Sequence, residues 1–307
     1  MEGNAINILS GGLGTDLFIN GGYDEIQLNN DPLWSARVPY QNPTAIKNVH
    51  TRFLKAGSNV ITTATYQASV QGYVENLGVT VEEAEQILRS CVDISKQAVK
   101  DFGGSRKIII GGSVGPYGAM LHDRSEYTGS YIDKVSTSVL KDFHRTQMKI
   151  LVSQGVDILA CETLPAFKEA IVIAELLREI PGAKAWITFS TKSGCETSHG
   201  ENLREAFQTL SKYEQVVAVG MNCSSPEQVL PIALIAKECM APHQRFIAYP
   251  NNTVSTGQEA KLAWDCIKDI PSWLDTGVFS WIGGCCMVTP EHIQQIKDVV
   301  QEWESKN

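Results

Sequence analysis

A closed (β/α)8 TIM barrel is the fold that this 307-residue sequence predicts. Three observations predict it. Short runs rich in Ile, Val and aromatic residues alternate with longer amphipathic runs from end to end, eight of each. Strict alternation means parallel strands joined by helical crossovers. The length suits a barrel of about 250 residues kept as one domain, and no Pro/Ser-rich linker interrupts it, so residues 1–307 are read as a single domain. Finally, the competing open, doubly wound sheet calls for a G-x-G-x-x-G turn after its first strand. The stretch "GGLGTD" places Gly11, Gly12 and Gly14 at other spacings.

The strands, in order, are "NILS" at 7–10, "NVITT" at 59–63, "KIIIGGSV" at 107–114 and "DILAC" at 157–161. "AWITFS" at 185–190, "VVAVGMN" at 216–222, "RFIAYP" at 245–250 and "VFSWIG" at 278–283 follow. Each is bounded by Gly, Pro, Asn or Ser. The first helix, "PTAIKNVHTRFLKAG", opens with Pro43 in its first turn and stops at Gly57. In the second, "TVEEAEQILRSCVDISKQAVKD", Thr80 as N-cap and Glu83 three residues later form a capping-box signature. Helical patterns over 133–155, 165–180, 201–213, 225–240, 258–270 and 289–303 complete the alternation.

Apolar residues make up 43% of the chain, enough for a large core. With 26 basic against 34 acidic residues the net charge is -8, and no Lys/Arg run appears. This argues against a nucleic-acid partner. The start "MEGNAINILSGGLGTDLF" has no basic flank and apolar core of a signal peptide, and no apolar run is of bilayer-spanning length. The expectation is a cytoplasmic protein with no membrane partner, its eight cysteines reduced. Most of these, including Cys91 and Cys239, are expected as small core residues. A CxxC pair is absent.

In a barrel, chemistry sits where strands run into their following loops. Cys223 closes strand six and the adjacent Cys285 and Cys286 close strand eight. Both are even-numbered strands, which feed the same layers of the interior. Gly283 and Gly284 let the chain bend so that two neighbouring thiols face one way. Two readings of the trio stand side by side. Three thiolates on one zinc leave a tetrahedral position free, the mark of a catalytic site; a vicinal disulfide or simple packing is the other. A zinc with three thiolates is too electron-rich to polarise a carbonyl well. It suits the deprotonation of an incoming thiol, whose free pKa is about 8.5, and so alkyl transfer to sulfur.

The motifs "GGLGTDL", "PLWSARV", "AGSNVITTATYQAS", "GGSVGPYGAML", "SEYTGSY", "DILACETLP", "VGMNCSSP" and "IGGCCMVTPEHI" occur in this order along nearly the whole chain. In them the sequence resembles the homocysteine S-methyltransferases, in particular the short, cobalamin-independent class that uses S-methylmethionine. The resemblance implies a (β/α)8 barrel whose Zn2+ is held by Cys223, Cys285 and Cys286. It implies methyl transfer from a sulfonium donor, S-methylmethionine or S-adenosylmethionine, to homocysteine, giving methionine. Glu162 matches the carboxylate that binds the acceptor's ammonium group, and Thr63 a position at the acceptor's amino-acid end. Trp34 matches a tryptophan near the donor in betaine-using relatives, and an indole face attracts cations. Tyr66, Gln67, Tyr117, Glu126 and Tyr127 are candidates for lining the donor pocket. Asn222 is expected to fix its loop through hydrogen bonds.

One position departs from the family. Where it has an aspartate that helps hold the acceptor's ammonium group, this chain has Ser10. Losing one charge-assisted hydrogen bond costs about 1.5–3 kcal/mol. The departure leaves three explanations: compensation by another acid such as Asp16, an altered acceptor (a selenol amino acid would suit the same zinc), or a weakly active or non-catalytic thiol-binding relative. A zinc hydrolase ranks last, for want of His or carboxylate ligands. Cys195 and His199 are read as loop structure, and His50 and His144 as surface or packing residues. Without the long C-terminal extension of betaine-using relatives, a monomer or weak homodimer is expected.

Overall fold

The computed structural model describes residues 5–256, 259–262 and 264–307. Eight strands form one sheet: β1 (Asn7–Ile8), β2 (Val60–Thr62), β3 (Ile109–Val114), β4 (Ile158–Leu164), β5 (Ala185–Phe189), β6 (Val216–Asn222), β7 (Arg245–Tyr249) and β8 (Phe279–Ile282). Every pairing is parallel and joins chain neighbours, apart from the seam where β8 pairs with β1. A parallel bridge from Leu9 to Val60 shuts the ring between β1 and β2. All eight predicted strands are present, and the barrel is the predicted one.

Around the ring lie α1 (Pro43–Ala56), α2 (Val81–Phe102), α3 (Thr137–Ser153), α4 (Phe167–Arg178), α5 (Leu203–Leu210), α6 (Val229–Cys239), α7 (Ile270–Leu274) and α8 (Pro290–Lys306). The end signals read from sequence operate. Gly57 ends α1 at φ 118°, and Thr80 and Glu83 exchange the two capping-box bonds at the start of α2. On α2 the residues Ala84, Ile87, Leu88, Cys91, Val92 and Ala98 are buried, the spacing of one helical face. Each such large side chain contributes roughly 1.5–3 kcal/mol by leaving water. Among the described residues no helix is long and apolar enough to cross a membrane.

The helix expected over 258–270 is a correction. Gln258 and Ala263 lie outside the described residues; the rest forms an antiparallel hairpin, Thr253–Thr256 with Glu259–Leu262, then a 3-10 turn at Trp264–Asp269 before α7. Two local preferences override the helical pattern. Thr253, Val254 and Thr256 are β-branched, and Pro271 sits in the first turn of α7, where proline belongs. The third predicted helix also starts later than 133, because Ser136 caps it by accepting from Val139 N.

Inside the ring, large and small side chains alternate. Trp186 and Trp281 lie 5.3 Å apart, centroid to centroid, and Gly111 leaves space for Trp186, since a Cβ there would come within 2.9 Å of its ring. The Trp186 indole donates to the Tyr249 hydroxyl at 3.0 Å. That phenol is where the apolar plug gives way to the polar mouth.

Candidate active site

Loops at the C-terminal ends of the strands line an open cleft. Its wall includes Ser10, Trp34, Thr63, Tyr66, Tyr127, Glu162, Asn222, Cys223, Cys285 and Cys286. Ten of the thirteen site residues expected from sequence thus meet on one surface. Gln67, Tyr117 and Glu126 are the exceptions. Gln67 follows Tyr66 but stays off the wall, with its Oε1 buried and unpartnered.

The thiols converge. Cys223 Sγ is 2.8 Å from Cys285 Sγ and 3.5 Å from Cys286 Sγ, and all three lie within 4.8 Å of one another. Adjacent cysteines share a face because they lie in a turn rather than on a strand: Val288 N donates to Cys285 O, and Met287 follows at φ 62°. Gly283 and Gly284 serve here by size. A Cβ on Gly283 would meet Leu9 at 2.6 Å, and one on Gly284 would meet Val288 at 2.3 Å. The loop after β7 fixes the turn further, with Pro250 O accepting from Cys285 N and Asn251 Oδ1 from Cys286 N. Cys286 is held well below the usual thiol value, because Cys223 and Cys285 both direct hydrogen bonds at it.

This donor set fits a thiophilic metal. Ligands about 2.3 Å from a tetrahedral zinc stand about 3.8 Å apart; the 2.8 and 3.5 Å separations from Cys223 are shorter than that, and all three sulfurs fall within 4.8 Å of one another. All-sulfur ligation excludes calcium and magnesium as preferred ions.

On the same cleft wall is Glu162, which is buried near the end of β4. Burial pushes its carboxyl up to about 7, against the pull of hydrogen bonds from Ser113 and Tyr249. The ends of β2, β3 and β4 are tied together beneath it. Ser113 Oγ donates to Glu162, Ser113 N donates to Thr63 Oγ1 at 3.0 Å, and Thr65 Oγ1 donates to Ser113 O at 2.6 Å. Thr65's proton is thereby committed, so in the 2.6 Å contact between hydroxyls Thr63 donates to Thr65. Beside Glu162, Thr163 adopts φ 61°, rare for a β-branched residue. Here the β4–β5 register also shifts, between Cys161 and Leu164. Asn222 Oδ1 accepts from Thr163 N at 2.7 Å and its Nδ2 donates to Thr163 Oγ1 at 2.7 Å. The side-chain bonds of Asn222 thus reach across to β4 rather than holding its own loop, and Asn222 also lines the cleft.

Trp34 closes another side. Its backbone is left-handed at φ 45°, and its indole Nε1 donates to Asn29 Oδ1 at 2.8 Å. Gly14 is required beneath it, since a Cβ there would lie 2.4 Å from the ring. Tyr127 brings its hydroxyl to 3.7 Å from Cys223 Sγ.

Asp16 does not stand in for the missing aspartate. It is fully buried and bound by Arg52, whose Nε and Nη2 lie 2.7 and 2.5 Å from Oδ2. Glu162 is therefore the one carboxylate on the described wall. Tyr117 packs instead on Tyr131 and Phe143. Glu126 is buried off the wall. His199 contacts Asp133, on the segment before α3, and Glu201 on its own loop, and Cys195 is exposed, while His50 and His144 are buried packing residues. Ser113, Thr163 and Tyr249 were not singled out from sequence; each reads as an ordinary strand residue until the ring aligns the strand ends.

The family model described as homocysteine S-methyltransferase matches residues 7–300. The selenocysteine Se-methyltransferase of Brassica oleracea var. italica is 37% identical, over 94% of this chain and 87% of that protein. Homocysteine S-methyltransferase 3 of Arabidopsis thaliana is 36% identical over 96% and 90%. Among solved structures, the metallated form of the homocysteine methyltransferase MmuM from Escherichia coli superposes with a TM-score of 0.82 at 33% identity, covering 95% of this chain and 96% of that one.

Proposed function

The chain belongs to the homocysteine S-methyltransferase family, and from that premise we propose that it moves a methyl group from a sulfonium donor of the S-methylmethionine type to the thiol of homocysteine. Cys223, Cys285 and Cys286 would hold one zinc ion for this purpose. The observation that carries the reading is the convergence of three sulfurs from the ends of β6 and β8. When bound there, zinc would supply the Lewis acidity that removes the proton of an incoming thiol at neutral pH.

The transfer is an in-line displacement. A bond forms between the homocysteine sulfur and the methyl carbon as the donor's sulfur–methyl bond breaks. The electron pair of that bond stays with the donor sulfur, which leaves as a neutral thioether, and the thiol proton passes to solvent. With S-methylmethionine as donor, both products are methionine. A cation and an anionic sulfur become two neutral molecules, so a cleft poor in water favours the step.

The chain's own task is to align the two sulfurs and keep water out. Glu162 takes the acceptor's ammonium group, ionising as the cation arrives, with Ser113 and Tyr249 holding the carboxyl in place. Thr63 and Ser10 face the same amino-acid end. Trp34, Tyr66 and Tyr127 wall the donor side, where the Trp34 indole offers its π-face to the sulfonium. Asn222 sets the backbone beside Glu162. A selenol amino acid is a second acceptor reading, favoured by the selenocysteine-methylating relative.

Two assays test the proposal. A matrix of donors (S-methylmethionine, S-adenosylmethionine, betaine) against acceptors (homocysteine, selenocysteine) should give its highest rate with S-methylmethionine. Betaine as the preferred donor would overturn the donor assignment. Elemental analysis of the same preparation should find about one zinc per chain, and a preparation with turnover but no bound metal would overturn the zinc role.

A further inference from the structure

Four acidic side chains are buried among the described residues: Asp16, Glu126, Glu162 and Glu169. Three have visible employment. Asp16 is paired with Arg52, Glu169 accepts from Tyr117 N, Tyr131 and His144, and Glu162 faces the cleft. Glu126 differs. It is 7% exposed, and its Oε2 is sealed from solvent without a hydrogen-bond partner.

Two polar atoms near it share that state, Ser125 Oγ beside it in the chain and Tyr66 Oη, whose phenol feels the Glu126 charge. The loops carrying them are pressed together by two glycines. A Cβ on Gly115 would lie 2.2 Å from the Tyr66 carbonyl, and one on Gly118 would lie 2.8 Å from both Glu126 N and Ser125 Oγ. An unsatisfied buried polar group costs about 1–3 kcal/mol, so a cluster of them points to a missing partner. A cationic partner suits a carboxylate flanked by hydroxyls that can accept as well as donate. The charged neighbours on its own loop, Asp123 and Arg124, act on Glu126 in opposite senses, and Cys286 acts on it from the thiol cluster. Tyr66 and Tyr127, the latter one residue along the chain, both line the cleft.

If both substrates are amino acids, two ammonium groups need seats, and Glu162 provides one. We propose that Glu126, with Tyr66 and Ser125, seats the α-ammonium group of the methyl donor. This rests on the sulfonium-donor reading above. It selects donors with a free amino group over betaine-like ones.

Calorimetric binding to the zinc-loaded protein tests it without requiring turnover. The probes are S-methylmethionine and S,S-dimethyl-4-sulfoniobutyrate, the same sulfonium without its amino group. The unaltered chain should bind S-methylmethionine roughly tenfold to a hundredfold more tightly, the worth of one charged hydrogen bond. Glu126→Gln should erase that preference while leaving the affinity for homocysteine unchanged. Should that variant fail to fold, Glu126→Asp, which keeps the charge, should reduce the preference without abolishing it. Equal binding of the two probes by the unaltered chain, or an undiminished preference in the variant, would overturn the assignment. Failure of the donor reading would show separately, as binding without methyl transfer from either sulfonium.

Discussion

The side chain of Asn222, on the last residue of β6, clamps Thr163 in a left-handed conformation beside Glu162. That conformation costs about 1–2 kcal/mol in a residue with a β-carbon, and two short hydrogen bonds offset it. The clamp also receives Thr188 Oγ1 at 2.8 Å, so the ends of β4, β5 and β6 share one amide.

Replacing Asn222 with Ala leaves the buried Thr163 amide without its acceptor. We expect a loss of about 2–4 kcal/mol in denaturant unfolding, with a raised KM for homocysteine as Glu162 loses its fixed direction. An unchanged unfolding midpoint and an unchanged KM would contradict the clamp.

Single Ser substitutions at Cys223, Cys285 and Cys286 should each lower bound zinc below one per chain and abolish methyl transfer. Serine at Cys91, a fully buried residue of α2, should affect stability and leave the metal content alone. Elemental analysis of dialysed protein distinguishes the two groups.

Glu162 gives the protein a pH signature. Its folded value of about 7 lies above the ordinary 4.5, so the native state keeps a proton that the unfolded chain has lost. Stability therefore falls as pH rises from about 4.5 to 7, by about 3 kcal/mol, and Glu162→Gln should flatten this decline. Ligand binding runs the opposite way. Methionine, which has no thiol proton to lose, should bind more tightly as pH rises through about 7, since the ionised carboxylate attracts its ammonium group. Titration calorimetry across this range checks both the sign and its absence in the variant.

For Trp34, substitution by Leu removes the π-face and should raise the donor's KM by roughly threefold to thirtyfold, matching about 0.5–2 kcal/mol. Gly14→Ala should act through the same ring, because its Cβ would lie 2.4 Å from the indole. Both variants should leave the KM for homocysteine unchanged. A shifted tryptophan fluorescence maximum in Gly14→Ala would report the displaced ring.

Much of this was legible in the chain. The eight strands could be read because parallel barrel strands are short, apolar and punctuated, and Cys223, Cys285 and Cys286 because each follows such a run. What escaped depends on dihedral angles and on cross-strand neighbours. No pattern marks Thr163 as left-handed or Asn222 as its holder, since both facts arise only when β4 and β6 lie within reach. The helical pattern over 258–270 misled because β-branched residues before it and Pro271 after it outweigh periodicity. Gln67 misled by adjacency: Tyr66 faces the cleft and the next side chain turns away. Asp16 was near Ser10 in sequence, but α1 supplies Arg52 as its partner.

The seam of the ring has a consequence for assembly. Two of the three sulfurs follow β8, which docks between β7 and β1, so a nascent chain that stops short of residue 279 owns a single member of the trio. Metal binding by the trio, as proposed, would thus report that the cylinder has been sealed, and a ribosome-stalled or C-terminally clipped fragment would lack two of the three sulfurs.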